Sequence, residues 1–496
     1  MSITPEKKTL GALEAESAAT KSDSETYEIS WTREEEAVIR HKLDWQIVPT
    51  VTLLYLLCFL DRANIGNARI QGMEKDLDLK RDNRFNIATS IFYIVYLTVE
   101  IPSNLLLKKI GPRFYIPGLV VGFGLVSMMT AFITTYEQLC GLRALLGIFE
   151  GGAMPGIAFF LSNFYKREEL YFRIGIYVSA ASMAGAFGGL LATALARVPE
   201  WGTAAAPMHT WRNIFFFEGL LTIVCGCLAP LLLPQTPGKS KRLNEREKWI
   251  AEERLRLEHK ALANEKVRPH HVKRAMLNIN NYICAGGFFF INVTVQGISV
   301  FMPTVLLNLG WKAEKAQLYS VPPYVLASAV AIGISFVSDK AKKRGIFLAL
   351  FALIGITGFA VLRWSSSDNI KYMGIFFVAI GAFPGGPGFL SWGINNSAGP
   401  AVRAVTSGWI VSLGTMGGIL AVWAYLSVDG PNFPIGHTIN LVCQVATLFL
   451  ALGGIFYCNW ENRLRARGGR NYRLENKTEE EIADLGYRHP EFRYMA

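Results

Sequence analysis

The chain has 496 residues, of which 51% are hydrophobic and only 18% charged, with a formal net charge of +11. Soluble proteins carry roughly 25% charged residues, so an ordinary soluble enzyme is excluded; three soluble domains of ~150 residues give way once the apolar residues are seen to form membrane-length runs. The positive charge then belongs to loops and tails, and no nucleic-acid partner is expected.

Residues 1–46 are polar and mixed in charge. They lack the basic region, short apolar core and cleavage site of a secretory leader. They read as a cytoplasmic tail, in which Thr32 and Glu35 can cap a short helix. A helix needs ~20 apolar residues to cross a ~30 Å hydrocarbon core. Twelve segments qualify: 47–67, 86–107, 114–135, 137–161, 174–196, 213–233, 279–301, 317–337, 345–364, 371–395, 404–425 and 436–458. The first six make an N-terminal half, 47–233, and the last six a C-terminal half, 279–458. Between them lies a polar linker, 234–277, and after them a cytoplasmic tail, 459–496. The predicted fold class is therefore all-α integral membrane, twelve transmembrane helices in two six-helix halves, with the lipid bilayer as its first partner.

Basic residues set the orientation. Lys108, Lys109 and Arg113, then Lys166, Arg167 and Arg173, then Lys340, Lys342, Lys343 and Arg344 fall on one side, together with the linker. That side is read as cytoplasmic, with both termini. In the linker, Asn244–Leu262 mixes charges with Trp249, Ile250, Leu255 and Leu257, an interfacial helix expected to tether the halves along the membrane surface. The short basic turns 108–113 and 339–345 occupy matching places in the two halves, a faint sign of duplication; in folds built from repeats, substrate sits at the midplane between them. The cysteines (58, 140, 225, 227, 284, 443 and 458) lie in or beside apolar runs without metal-type spacing and read as small buried hydrophobes.

Ionisable residues inside a membrane cost at least ~2.5–3.5 kcal/mol each and are functional by default. Asp61, Arg62, Arg143 and Glu150 are the four singled out. At 1.5 Å per residue, Asp61, Arg62 and Arg143 fall roughly 21–23 Å from the inner edge, so they can meet at one level, with Glu150 about 10 Å deeper on the face of Arg143. Arginine stays charged and can clamp a carboxylate through two hydrogen bonds. A carboxyl in a partly desolvated cavity can bind and release protons near neutrality, although neighbouring arginines oppose this. Structural ion pairing is the competing account, but buried pairs are poor stabilisers.

In the second half, Gly381-Ala382-Phe383-Pro384-Gly385-Gly386-Pro387-Gly388 cannot be a straight helix. A break is tolerated only against protein or a water-filled cavity, which makes the following Trp392 and Asn395 candidate cavity residues. Asn292 and Gln296, four apart on one face, are a second pair, with interhelical hydrogen bonding as their alternative role. Gly185, Gly188, Gly189, Gly414, Gly417 and Gly418 form small-residue faces for close helix approach. Gly238-Lys239-Ser240 lacks the leading glycine of a phosphate loop, since residue 233 is leucine. No intramembrane histidine cluster suggests a metal, and no cofactor is expected. The sequons at Asn292, Asn395 and Asn476 fall in spans or on the cytoplasmic tail, where glycosylation is not expected.

Asp61-Arg62-Ala63-Asn64-Ile65-Gly66-Asn67-Ala68 resembles the first-helix motif of the anion:cation symporter family within the major facilitator superfamily. Arg143-x-x-x-Gly147-x-x-Glu150-Gly151-x-x-x-Pro155-Gly156 resembles its fourth-helix motif. Glu100-Ile101-Pro102-Ser103-Asn104 and the ending His489-Pro490-x-Phe492-Arg493-Tyr494 are similar to its fungal, allantoate permease-like branch. The resemblance spans about residues 40–496. It implies a monomeric plasma-membrane carrier for a small organic anion, moved by symport with protons as the coupling ion. It implies that Asp61 and Glu150 carry the protons, that Arg62 and Tyr96 contact substrate, and that Arg143 pairs with the carboxylates. Gating is implied at Lys109 and Arg113 in the first half and at Asp339 and Arg344 in the second. The chain departs from the family where an acid usually stands in the first turn, since Lys108-Lys109-Ile110-Gly111 occupies it. Allantoate, ureidosuccinate, nicotinate, pantothenate, biotin and tartrate-like acids all occur among such relatives. An exporter, an uncoupled facilitator and a non-transporting receptor remain as alternatives.

Overall fold

The computed structural model describes residues 31–203, 206–262, 269–341, 343–398, 400–475, 477–478, 481–482 and 485–496. Its helices are α1 (Arg33–Ala68), α2 (Arg84–Ile110), α3 (Pro112–Thr130), α4 (Tyr136–Glu150), α5 (Ala153–Ser162), α6 (Arg167–Leu195), α7 (Thr210–Leu232), α8 (Glu245–Leu262), α9 (Pro269–Met276), α10 (Ile279–Asn308), α11 (Ala313–Ala341), α12 (Gly345–Trp364), α13 (Asp368–Ala382), α14 (Gly385–Asn395), α15 (Pro400–Ala424) and α16 (Pro434–Ala466). Among the described residues, ten stretches of helix are long and apolar enough to cross a membrane. The expected second span lies within α2, and the expected fourth is divided into α4 and α5 at Gly151–Gly152. One addition to the all-α expectation is a two-stranded antiparallel hairpin, β1 (Trp201–Thr203) with β2 (Ala206–Met208).

Thr32 does cap a helix. Its hydroxyl accepts from the Glu35 amide at 3.2 Å and the Glu35 carboxylate accepts from the Thr32 amide at 2.9 Å, so two otherwise orphaned N–H groups are satisfied. The helix is not short, however. It runs unbroken from Arg33 through Pro49 to Ala68. The polar first turns are held by ion pairs: Arg173 grips Asp44 through two bonds of 2.8 and 2.6 Å, Lys166 pairs with Glu36 at 2.5 Å and Arg40 with Glu169 at 3.1 Å. The linker helix α8 joins this lattice. Its fully buried Arg254 reaches Glu36 at 3.4 Å and Glu169 at 3.3 Å, and its Glu247 accepts from Lys42 at 2.6 Å. Burial alone would raise the Glu247 carboxyl, but the Lys42 bond, the bond from the Asn244 amide and the Lys42 charge together outweigh it and hold the group below its usual range. The linker helix is thus pinned to the N-terminal half.

Helix packing makes the faint repeat plain. Numbering the twelve expected segments in order, contacts 3–6, 1–5, 2–4 and 1–6 in the first half (α3–α7, α1–α6, α2–α4, α1–α7) recur as 9–12, 7–11, 8–10 and 7–12 in the second (α12–α16, α10–α15, α11–α13, α10–α16). The fourth span of each half is broken, at Gly151–Gly152 and at Phe383–Pro384. The halves meet through α1 with α10, α6 with α11 and α2 with α15. Glycines allow these crossings. A Cβ on Gly189 would lie 2.6 Å from the Gln317 carbonyl oxygen, and one on Gly418 2.5 Å from a ring carbon of Tyr93.

Hydrogen bonds between the halves crowd toward one end. Asn86 donates to the Val422 and Tyr425 carbonyls at 2.6 and 3.2 Å, Gln71 donates to Gln317 at 2.9 Å, and Arg69 donates to Ser427 at 2.9 Å. The opposite end is the one where α8 docks. Between the halves lies a cavity of about 480 Å³ whose wall extends toward that end, to Ile174, Ser338, Arg344 and Phe347.

Candidate functional site

The cavity wall is mostly apolar and aromatic, with Phe59, Phe288, Phe347, Phe351 and Phe383 among its residues. Polar groups come from both halves. Arg62 and Tyr96 enter from the first, and Asn292, Gln296, Arg344 and Ser391 from the second. The expected pair on α10 therefore does face the cavity. Asn292 donates to the Gly414 carbonyl at 2.9 Å, and the Gln296 oxygen accepts from the Tyr93 hydroxyl of the opposite half at 2.9 Å.

Arg62 is the most heavily partnered group. Its Nε donates to Glu150 Oε2 at 2.5 Å. Its guanidinium carbon lies 4.9 Å from the Phe59 ring centre, 5.3 Å from Phe92 and 4.8 Å from Tyr96. The cation is thus wrapped in aromatic faces, which attract positive charge through the ring quadrupole. Glu150 sits behind it, wholly buried. Its Oε2 also accepts from the Cys58 thiol at 3.3 Å, while its Oε1 has no partner. Asp61, one residue along α1, points elsewhere. It accepts from the Ser127 hydroxyl of α3 at 2.5 Å and leaves its other oxygen unpartnered and buried.

Arg143 is brought near both carboxylates as a charged neighbour but forms no ion pair or hydrogen bond among the described residues; its guanidinium carbon lies 6.0 Å from the Phe215 ring centre. Depth arithmetic set Arg143 level with Arg62 and Glu150 farther along. The arginine and glutamate side chains reach toward each other across that interval, so Arg62 takes Glu150 directly.

Trp392 and Asn395 lie away from the cavity wall. Ser391, their neighbour on α14, faces the cavity and accepts from Arg344 Nη1 at 2.5 Å. Trp392, about 100° farther round the helix, is fully buried and donates to the Met495 carbonyl at 2.8 Å. Asn395, turned so that its oxygen is satisfied, accepts from Arg344 Nε at 2.9 Å. The tail 487–496 accounts for this. Asn396 exchanges two bonds with the Met495 backbone, Asn462 exchanges two with that of Tyr494, and the Arg344 amide donates to the Ala496 carbonyl at 3.1 Å. Of the other gating residues, Arg113 stays within its own half, donating to the Pro230 carbonyl at 3.2 Å, and Lys109 is exposed. The side chain of Asp339 and the sequon residue Asn476 lie outside the described set.

Four intramembrane charges prove too few. Glu218 of α7 is buried, accepting from the Asn64 amide with its Oε2 and leaving Oε1 unpartnered. Glu100 of α2, quoted above only as part of a motif, is buried with Arg62 as its charged neighbour. Both stand in apolar runs, and the same rule that exposed Asp61 and Glu150 exposes them.

Residues 51–422 match the model of the Major Facilitator Superfamily. An uncharacterised transporter of Schizosaccharomyces pombe is 32% identical over 92% of this chain and 93% of its own. The high-affinity nicotinic acid transporter of Saccharomyces cerevisiae is 28% identical over 99% and 90%. Among solved structures, a bacterial homologue of the human lysosomal transporter Spinster, inward-facing and unoccupied, aligns with a TM-score of 0.62 at 15% identity over 86% of this chain and 97% of that one. The xylose transporter XylE of E. coli, partially occluded and inward open, aligns with a TM-score of 0.63 at 14% identity, over 82% and 96%.

Proposed function

The chain belongs to the Major Facilitator Superfamily and is a membrane transporter rather than an enzyme; on that premise we propose that it is a proton-coupled symporter of a small organic anion, of the anion:cation symporter type and its allantoate permease-like branch. The reading has twelve spans, with both termini and the linker in the cytoplasm, so the cavity described here faces inward. It is a monomer of the plasma membrane.

The observation that carries the proposal is Arg62 on the cavity wall with Glu150 directly behind it. An entering carboxylate competes with Glu150 for the same guanidinium. If the substrate takes Arg62, Glu150 is left as a buried carboxylate without its ion-pair partner, a state costing several kcal/mol, and it is relieved by binding a proton. Substrate and proton therefore favour each other's binding, which is the linkage symport requires. The apolar wall, with aromatic rings from both halves, favours a ring-bearing monocarboxylate over a polyhydroxy acid, and the nicotinic acid transporter among the relatives makes nicotinate the first probe.

Thermal-shift measurements on purified protein should show stabilisation by nicotinate or another carboxylate of a panel, since ligand binding stabilises the folded state. In proteoliposomes an inward proton gradient should drive accumulation of that acid, and a protonophore should abolish it. Accumulation indifferent to the protonophore would sink the coupling. Glu150→Gln should abolish gradient-driven accumulation while sparing exchange of labelled for unlabelled substrate; wild-type accumulation in that variant would remove Glu150 from the coupling.

A further inference from the structure

Behind the cavity, three helices of the first half share a second polar node. Asp61 and Asn64 lie three apart on one face of α1. Ser127 of α3 donates to Asp61, and Asn64 donates to Glu218 of α7. The helices are held close: a Cβ on Gly219, next to Glu218, would lie 2.5 Å from the Met128 amide nitrogen of α3. Asp61, Asn64, Ser127 and Glu218 are all at most 4% exposed, and none lines the cavity.

Each carboxyl here has one neutral donor and one buried oxygen with no partner. Among the described residues neither forms an ion pair. The surrounding charges are otherwise engaged or farther off. Arg62 is taken by Glu150, and Arg143 and Glu150 are the next charged neighbours of Asp61. The charged neighbour of Glu218 is Asp61. Of the elements packed on α7, α6 has its Arg173 on Asp44, the turn after α1 has its Arg69 on Glu74, and α7's own Arg212 donates to the Ala131 carbonyl. Among the described residues, the cations neighbouring Asp61, Glu100 and Glu150 are Arg62 and Arg143, and Glu218 has Asp61 as its charged neighbour. Four ionised carboxylates against two guanidiniums would leave uncompensated negative charge in a medium that charges such states heavily.

We propose that Glu218 is a further proton-handling residue, forming with Asp61 a coupled carboxyl pair that holds one proton, so that ionisation of one member favours protonation of the other. Two coupled carboxyls titrate as a unit rather than as individuals, which lets the node keep its proton out of the substrate cavity. The pair deepens the symport reading by giving it a proton reservoir, but its protonation is a property of the unliganded protein.

The test therefore uses no substrate. Infrared spectroscopy of the purified, lipid-reconstituted full chain is recorded across a pH series, following the absorbance of protonated carboxyl groups. Glu218→Gln should remove one protonated carboxyl per protein, and Asp61→Asn should move the pH at which the remaining member titrates. Asn64→Leu, which removes the donor but keeps both acids, should shift the frequency of the same band, and it decides the matter if Glu218→Gln does not fold. A band whose intensity, frequency and pH dependence are the same in wild type and these variants overturns the proposal. A failure of the symport reading would appear instead in the protonophore experiment and leaves this result untouched.

Discussion

Arg62 donates from Nε to Glu150 while its guanidinium carbon sits over the rings of Phe59, Phe92 and Tyr96, a combination suited to a planar, delocalised cation. Arg62→Lys keeps the charge but loses the fork and the stacking. It should weaken carboxylate binding at least ~10-fold, ~1.4 kcal/mol, as read by thermal-shift titration with nicotinate. Undiminished affinity would leave the anion clamp without support. At this scale the sequence is generous, because a charge inside an apolar run stands out without any structure. That made Asp61, Arg62, Arg143 and Glu150 visible. It would have shown Glu218 and Glu100 equally well. What sequence cannot supply is azimuth. Residue counting gives depth along a helix but not which neighbour a side chain faces, so the direct Arg62–Glu150 bond, with Arg143 a charged neighbour that bonds neither carboxylate, emerges only from packing.

The same division holds between elements. The kink at Phe383–Pro384 was legible because proline deletes a backbone donor. The break at Gly151–Gly152 follows the same rule, since Pro155 deletes the donor that would bond the Gly151 carbonyl four residues back, a signal passed over when 137–161 is read as one span. Trp392 and Asn395 followed the legible break, yet they face the C-terminal segment, whose docking no local pattern announces. Trp392→Phe keeps the ring in its slot but removes the bond to Met495. It should cost about 1 kcal/mol of stability, seen as a lower thermal midpoint and faster proteolysis of the tail, with nicotinate affinity little changed; a large loss of affinity at unchanged stability would return Trp392 to the binding site. The docking of α8 should depend on pH. The Glu247 carboxyl is held low in the folded chain, so its contribution is complete above the ordinary glutamate value of ~4.3 and disappears as pH falls through the depressed one. Proteolysis of the linker should therefore accelerate in strong acid, and Lys42→Ala should blunt that dependence.

Across the whole molecule, two matching half-bundles are bonded to one another at the end away from the linker. Transport by this fold requires that seal to part while another forms. Gly189 lies in it, against Gln317 and Ser320 of the opposite half. Gly189→Val should prevent closure, reduce accumulation at least ~10-fold, and expose a cysteine placed at position 317 to a membrane-impermeant maleimide; unchanged labelling would show that the crossing is not part of the seal. The duplication itself was nearly silent in the sequence, resting on two basic turns, whereas the repeated packing order is unmistakable. That is as expected when selection keeps helix geometry and lets side chains drift. The one unbroken helix from Arg33 to Ala68 joins these scales. Glu36 is fastened in the lattice that holds the linker, and Arg62 stands on the cavity wall about 40 Å along the same rod. Such a rod ties the cavity wall to the linker's charges. A tilt at Arg62 would displace Glu36, and with it the linker helix that Arg254 pairs to it, without any change in the bilayer-facing surface between them.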